Sequence, residues 1–222
     1  MIKVENSKVY GILDALRGMR NPLNSWEKAD TTCKCDSKTG HVIELNIGPN
    51  DELLCNALTI GGQPHRKFLR QINVSMDIIA PTYWWAEMDT YKIGTTRNSC
   101  SVQHKGSSRD FVLEDFTLDD IFTNNIDIDL NIYVMKNIED TLKTMNHLRQ
   151  LYIETKNYVY FRLLRQLMPM GYNYKATWSG TYETLLNIFE WRQNHKLIEW
   201  HYFCDEIKKL PGMDLFLKKY ID

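Results

Sequence analysis

The chain has 222 residues, 43% of them hydrophobic and 25% charged, with 27 Lys and Arg against 28 Asp and Glu. That balance excludes a general polyanion binder, whose affinity rests on surplus cations neutralising phosphates, and leaves only local basic pockets open. The length supports a core without disulfide or metal staples, and no repeat or Pro/Gly/Ser linker divides it, so a single domain over residues 1–222 is expected.

No run approaches the roughly 18 apolar residues of a membrane-spanning helix, and the start lacks the apolar stretch of a secretory signal. A cytoplasmic protein is therefore expected, with its five scattered cysteines, Cys33, Cys35, Cys55, Cys100 and Cys204, as reduced thiols.

Ile12, Leu13, Ala15, Leu16 and Met19 recur at helical spacing and stop before Asn21-Pro22, which predicts a first helix of about three turns. Residues 25–40 are polar and read as a loop or an edge hairpin. His41 to Ile47 alternates as a strand, and Gly48-Pro49-Asn50-Asp51-Glu52 then offers turn and helix-start signals before Leu53 to Leu58, with Gly61-Gly62 as the stop. Ile72, Val74, Met76 and Ile78 alternate with Asn73, Ser75 and Asp77, the cleanest period-two signal in the chain. Pro81 ends that strand and opens a short aromatic helix through Met88, and the polar stretch from Ile93 to Ser108 reads as a long loop of a kind that is often functional. Ile132, Met135, Ile138, Leu142, Met145 and Leu148 predict one long amphipathic helix from about Leu130 to Lys156. Further helices are expected over 158–168, 178–191 and 197–210, with a last short one from Met213.

The compact catalytic signatures are absent: there is no Walker loop, G-x-G-x-x-G, H-E-x-x-H or G-x-S-x-G. Cys33-x-Cys35 near His41 resembles half a zinc site, but no closing ligand pair stands at metal-like spacing, so no metal is expected. Of six histidines, His65 has the most suggestive setting, on a turn with Arg66 and Lys67. Arg165 in a last helical turn has an ordinary role opposing the negative end of the helix dipole. If residues 178–192 are helical, Trp178, Tyr182, Leu185 and Phe189 form one stripe with Arg192 at its edge and Asn187 opposite. Asn187 and Arg192 then share a site only where another chain or a loop covers that side.

Taken together, these pieces resemble the flavin-dependent thymidylate synthase family in a divergent form, of the phage or prophage kind. The similarity rests on Arg165 before Leu167-Met168-Pro169, then Trp178, then Asn187-x-x-x-x-Arg192, with Glu199 beyond. Upstream, a histidine turn leads to Ala80-Pro81 and an aromatic helix start. Residues 90–103 then lie in the place of the family signature R-H-R-x-x-S-x-N-x-x-S-x-R-Y. Lys92 for Arg, Thr95 for Ser and Cys100 for Ser keep part of that chemistry, and Thr90, Tyr91, Val102 and Gln103 depart from it.

The resemblance implies an α+β fold with a central, mostly antiparallel sheet and a helical C-terminal half, assembled as a homotetramer with sites where subunits meet. It further implies FAD as cofactor, methylation of dUMP at C5 with methylenetetrahydrofolate as carbon donor, and NADPH as reductant. By the same resemblance Arg165 and Arg192 hold the nucleotide with Glu87, Asn98, Cys100 and Ser101. Arg192 also stabilises charge on the pyrimidine in the catalytic role, and His65, Lys92, Thr95 and Asn187 contact the flavin. Three other readings stand beside it: a related pyrimidine-nucleotide-modifying enzyme, a catalytically silent homologue that binds a nucleotide or flavin or serves as an oligomeric interaction protein, and an unrelated α/β domain in which these side chains only cap and solvate helices.

Overall fold

In the computed structural model, residues 2–100, 108–122 and 127–221 are described. A four-stranded sheet has the order β1-β4-β6-β5, with β1 at Lys3–Tyr10, β4 at Asn73–Pro81, β5 at Thr96–Ser99 and β6 at Asn173–Thr181, and the mixed α/β architecture contains antiparallel pairing. β4 is the strand that the alternation predicts: Val74, Met76, Ile78 and Ala80 are buried, and Asn73 is exposed. The outer strands carry no such signal. β1 buries only Val9 along its length, and β5 lies inside the polar stretch that reads as loop.

The expected helix over 178–191 begins later than its spacing suggests. Trp178 belongs to β6, where Ala176, Trp178 and Gly180 alternate inward, and the helix α6 runs Tyr182–Arg192. Thr181 marks the switch, its Oγ1 accepting from the Thr184 backbone N–H at 3.3 Å as an N-cap. The four-residue step from Trp178 to Tyr182 imitates helical periodicity while crossing from strand to helix. A Cβ at Gly180 would lie 2.3 Å from the Trp178 ring, so the indole occupies the space that glycine leaves.

The chain divides into two compact units. One comprises Met1–Lys3, Ile79–Asp89 and Ser99–Ala176 and holds α3 (Thr82–Met88), α4 (Ile128–Thr155) and α5 (Tyr158–Leu167). Asp127 caps α4 through the N–H groups of Asp129 and Leu130, at 2.9 and 3.2 Å. Lys156 ends the helix in the left-handed region, and Asn157 caps α5 through Val159. The core of this unit gathers Phe111, Phe116, Leu142, Met145 and Leu164, with Ile138 and Leu148 at its edge. The apolar stripe of α4 is thus buried over its second half, while Ile128, Leu130, Ile132 and Tyr133 in its first turns are exposed.

The other unit comprises Val4–Ile78, Thr90–Asn98 and Thr177–Asp222. It contains α1 (Ile12–Gly18), the ribbon strands β2 (Thr32–Cys35) and β3 (Val42–Asn46), α2 (Pro49–Ile60), α6, α7 (Ile198–Lys208) and α8 (Met213–Ile221). α1 is seven residues long and so shorter than the three turns expected. Tyr182, Phe68 and Phe216 pack edge to face in its core, and the Tyr182 hydroxyl donates to the Pro211 carbonyl at 2.7 Å.

The ribbon β2–β3 is antiparallel and meets α2 through two reciprocating aspartates. Asp30 oxygens accept from the N–H groups of Asn50 and Asp51 at 2.9 and 3.0 Å, capping the start of α2, while Asp51 accepts from the N–H groups of Asp30 and Thr31. Asp51 also pairs with Arg20 at 2.6 Å, both residues being almost wholly buried. Gly48 precedes α2 where a Cβ would fall 2.2 Å from the Asp30 carboxyl carbon.

Candidate functional site

The turn after α2 separates two neighbours in sequence. Its backbone bonds, from the N–H groups of His65 and Arg66 to Gly62 O, leave His65 exposed and send Arg66 inward to 3% exposure. There Arg66 Nε stands 2.9 Å from Glu183 Oε2, and its Nη2 donates to Asn187 Oδ1 at 2.9 Å. Glu183 and Asn187 are one turn apart on α6, side by side on one face, which is why a single guanidinium fork reaches both. Burial raises the Glu183 carboxyl above its ordinary value against the opposing pull of Arg66 and Arg70.

The segment 90–94 folds over this face of α6. Thr184 Oγ1 donates to Ile93 O at 3.3 Å, and Arg192 Nε donates to Tyr91 Oη at 2.8 Å. The Arg192 guanidinium carbon sits 4.6 Å from the Trp200 ring centre and 5.5 Å from that of Tyr91, a cation held beside two aromatic rings. Thr95 closes the segment by donating to Tyr91 O at 2.6 Å. Between segment and helix lies a cavity of about 590 Å³ whose wall includes Arg70, Tyr91, Lys92, Glu183, Thr184 and Asn187. A segment of the same chain thus lies against both Asn187 and Arg192.

The four residues expected to meet a flavin divide three ways. Lys92 and Asn187 line the 590 Å³ cavity, Thr95 latches the segment that forms its wall, and His65 lines a second cavity of about 510 Å³ with Pro22, Leu58, Pro64, Phe68 and Gln71. Of the nucleotide set, Arg192 anchors Tyr91, and Asn98 is exposed on β5. Glu87 is half-buried on α3. Arg165 is exposed in the last turn of α5, with Nη1 3.6 Å from Met168 Sδ. Cys100 is exposed, and its backbone N–H donates to Lys175 O at 2.8 Å. Ser101 lies outside the described residues.

Sequence reasoning did not single out Glu183, Tyr91 or Arg70, and it named Arg66 only as a cation beside His65. The four-residue step from Glu183 to Asn187 was the available signal. Among the described residues no group of three His, Cys, Asp or Glu is placed to hold a metal ion, and no helix is long and apolar enough to cross a membrane.

No protein-family model matches the chain, and no curated protein sequence matches it. Solved structures do. The flavin-dependent thymidylate synthase ThyX of Helicobacter pylori, crystallised with FAD and dUMP, aligns over 97% of this chain and 97% of its own, at TM-score 0.64 and 18% identity. A second crystal structure of that enzyme with FAD and dUMP gives TM-score 0.65 at 16% identity, over 98% of this chain and 97% of that one. A UMP/dUMP methylase, PolB of Streptomyces cacaoi, bound with 5-Br dUMP, gives TM-score 0.67 at 12% identity, over 99% of this chain and 95% of that one. The chain has the fold of these proteins along nearly its whole length.

Proposed function

We propose that the chain, acting as one functional domain over residues 1–222, is a flavin-dependent enzyme that methylates dUMP at C5. Methylenetetrahydrofolate would be the carbon donor and NADPH the reductant, in a cytoplasmic homotetramer. The observation that carries this reading is the cavity between α6 and the 90–94 segment, in a fold shared with proteins crystallised with FAD and dUMP.

The residues present fit a flavin nucleotide. Arg70 and Lys92 supply cations at the cavity wall for phosphates, Asn187 is held by Arg66 with its amide nitrogen left to donate, and Tyr91 offers an aromatic face. A bound reduced flavin would supply the hydride. Lys92 and Asn187 would hold the cofactor, Thr95 would fix the segment that carries Lys92, and His65 would contact it from its own turn. Arg165 would bind the nucleotide phosphate through its planar donor fork. Glu87, Asn98, Cys100 and Ser101 would line the nucleotide. Arg192, fixed by Trp200 and Tyr91 before any ligand arrives, would orient the pyrimidine edge and stabilise charge built there, without reorganisation during the reaction.

One observation favours the second reading, a silent nucleotide- or flavin-binding homologue: Glu183 places a buried carboxylate in the wall of the same cavity. The two are separated by purifying the full chain, recording its visible spectrum with and without added FAD, and assaying tritium release from C5-labelled dUMP with methylenetetrahydrofolate and NADPH. Flavin binding with tritium release supports the enzyme. Flavin binding without release supports the silent homologue, and absence of both binding and release overturns the flavin reading.

A further inference from the structure

The ribbon β2–β3 stands apart from the cavity and carries a pair of thiols that the proposed reaction does not use. Cys33 and Cys35 lie two residues apart on β2, so strand alternation sends both side chains to one face, and their sulfurs are 3.2 Å apart. Two strand residues span about 6.6 Å between Cα atoms, within the range that a disulfide bridges. The pairing shifts register between Lys34 and Cys35, where β3 carries the extra residue Ile43 beside the dithiol.

The two thiols differ. Cys35 is exposed, whereas Cys33 is half-buried opposite Leu45. Burial, the hydrogen bond with Cys35 and that neighbour's charge push Cys33 up to about 11. Cys55 and Cys204 are buried elsewhere, out of reach of a dissolved disulfide.

We infer that Cys33 and Cys35 form a redox-exchangeable dithiol, which small-molecule disulfides of the glutathione class close to an intrastrand disulfide and thiols reopen. The exposed Cys35 thiolate attacks one sulfur of the oxidant, forming a mixed disulfide and expelling one thiolate. Cys33 loses its proton to solvent and attacks the Cys35 sulfur, forming the Cys33–Cys35 bond and expelling the second thiolate. Both expelled thiolates take up protons, so two electrons pass from the protein to one oxidant disulfide, which leaves as two thiols. The neighbouring sulfur makes the second step intramolecular, so the mixed disulfide is short-lived.

The test incubates the full chain with oxidised glutathione, blocks free thiols with iodoacetamide and maps peptides by mass. The wild-type peptide spanning residues 32–36 should lose two hydrogens and carry no glutathione, and reduced glutathione in excess should restore it. Cys33→Ser should trap glutathione on Cys35 at a level about tenfold or more above wild type, as expected when the resolving thiol is removed. Circular dichroism establishes that the variant is folded. A wild-type protein that retains glutathione on Cys35 as fully as Cys33→Ser would overturn the proposal. So would one whose exposed Cys100 is modified under conditions that leave Cys33 and Cys35 untouched.

Discussion

Two buried carboxylates in this protein respond to pH with opposite sign. Burial raises Asp51, but hydrogen bonds from Thr31, Arg20 and the backbone N–H groups of Thr31 and Asp30 outweigh it and hold the carboxyl below its ordinary 3.8. Asp51 therefore contributes stability above 3.8 that is lost as pH falls through its lowered value. Glu183 is raised above 4.5, so its contribution is complete below 4.5 and is lost as pH rises through its folded value. Urea denaturation across pH should show Asp51→Asn flattening the acid limb and Glu183→Gln flattening the decline on the other side. Each change breaks a buried pair, and Asp51→Asn should cost about 3–5 kcal/mol at neutral pH because Arg20 is left charged and buried. Arg192→Lys keeps the charge but loses the guanidinium over the Trp200 ring and the bond to Tyr91, so if the proposed function holds, titration calorimetry should show dUMP binding weakened about tenfold. At this scale the family resemblance singled out Arg192 and Asn187, and the structure sets Asn187 in the cavity wall and Arg192 against Tyr91. Arg66 was hidden because its partners lie over a hundred positions away, and no local pattern announces which of two adjacent turn cations will be buried.

Among the elements, those with a strong period were legible and those with a weak one were not. β4, α2, α4 and α5 stand where the patterns place them. β1 buries only Val9 and leaves its other side chains exposed or half-buried, so its sequence alternates too little to announce a strand. β6 failed for a different reason: its Trp178 is in phase with the helix that follows, and the boundary rests on a threonine cap and on a glycine hidden under the indole. Gly180→Ala should push Trp178 from its buried position and cost about 1–3 kcal/mol, read as a lower denaturation midpoint with a change in tryptophan fluorescence. Asp127→Ala removes both hydrogen bonds that start α4 and should cost about 1 kcal/mol in the same measurement.

At the scale of the whole molecule, α4 joins the fold to the proposed assembly. Its apolar spacing is continuous from Ile132 to Leu148, yet only the part from Ile138 onward packs into the core described for its unit. Sequence periodicity reports that a face is apolar and does not report what covers it, and so the spacing could not separate the buried half from the exposed one. Ile132 and Tyr133 are 62% and 66% exposed, a surface suited to a second copy in the proposed tetramer. Replacing both by Glu should lower the mass seen by light scattering while leaving the denaturation midpoint of the dissociated chain unchanged.

Position 48 shows how much can hang on a missing methyl group. With nothing but hydrogen there, one aspartate stands close enough to plug the open end of a helix, and the dithiol ribbon is moored to that helix by the same carboxylate. Alanine at this position would evict the plug and fray the helix start, leaving the ribbon held through Asp51. The two sulfurs would then lose one of the anchors of the strand that aligns them.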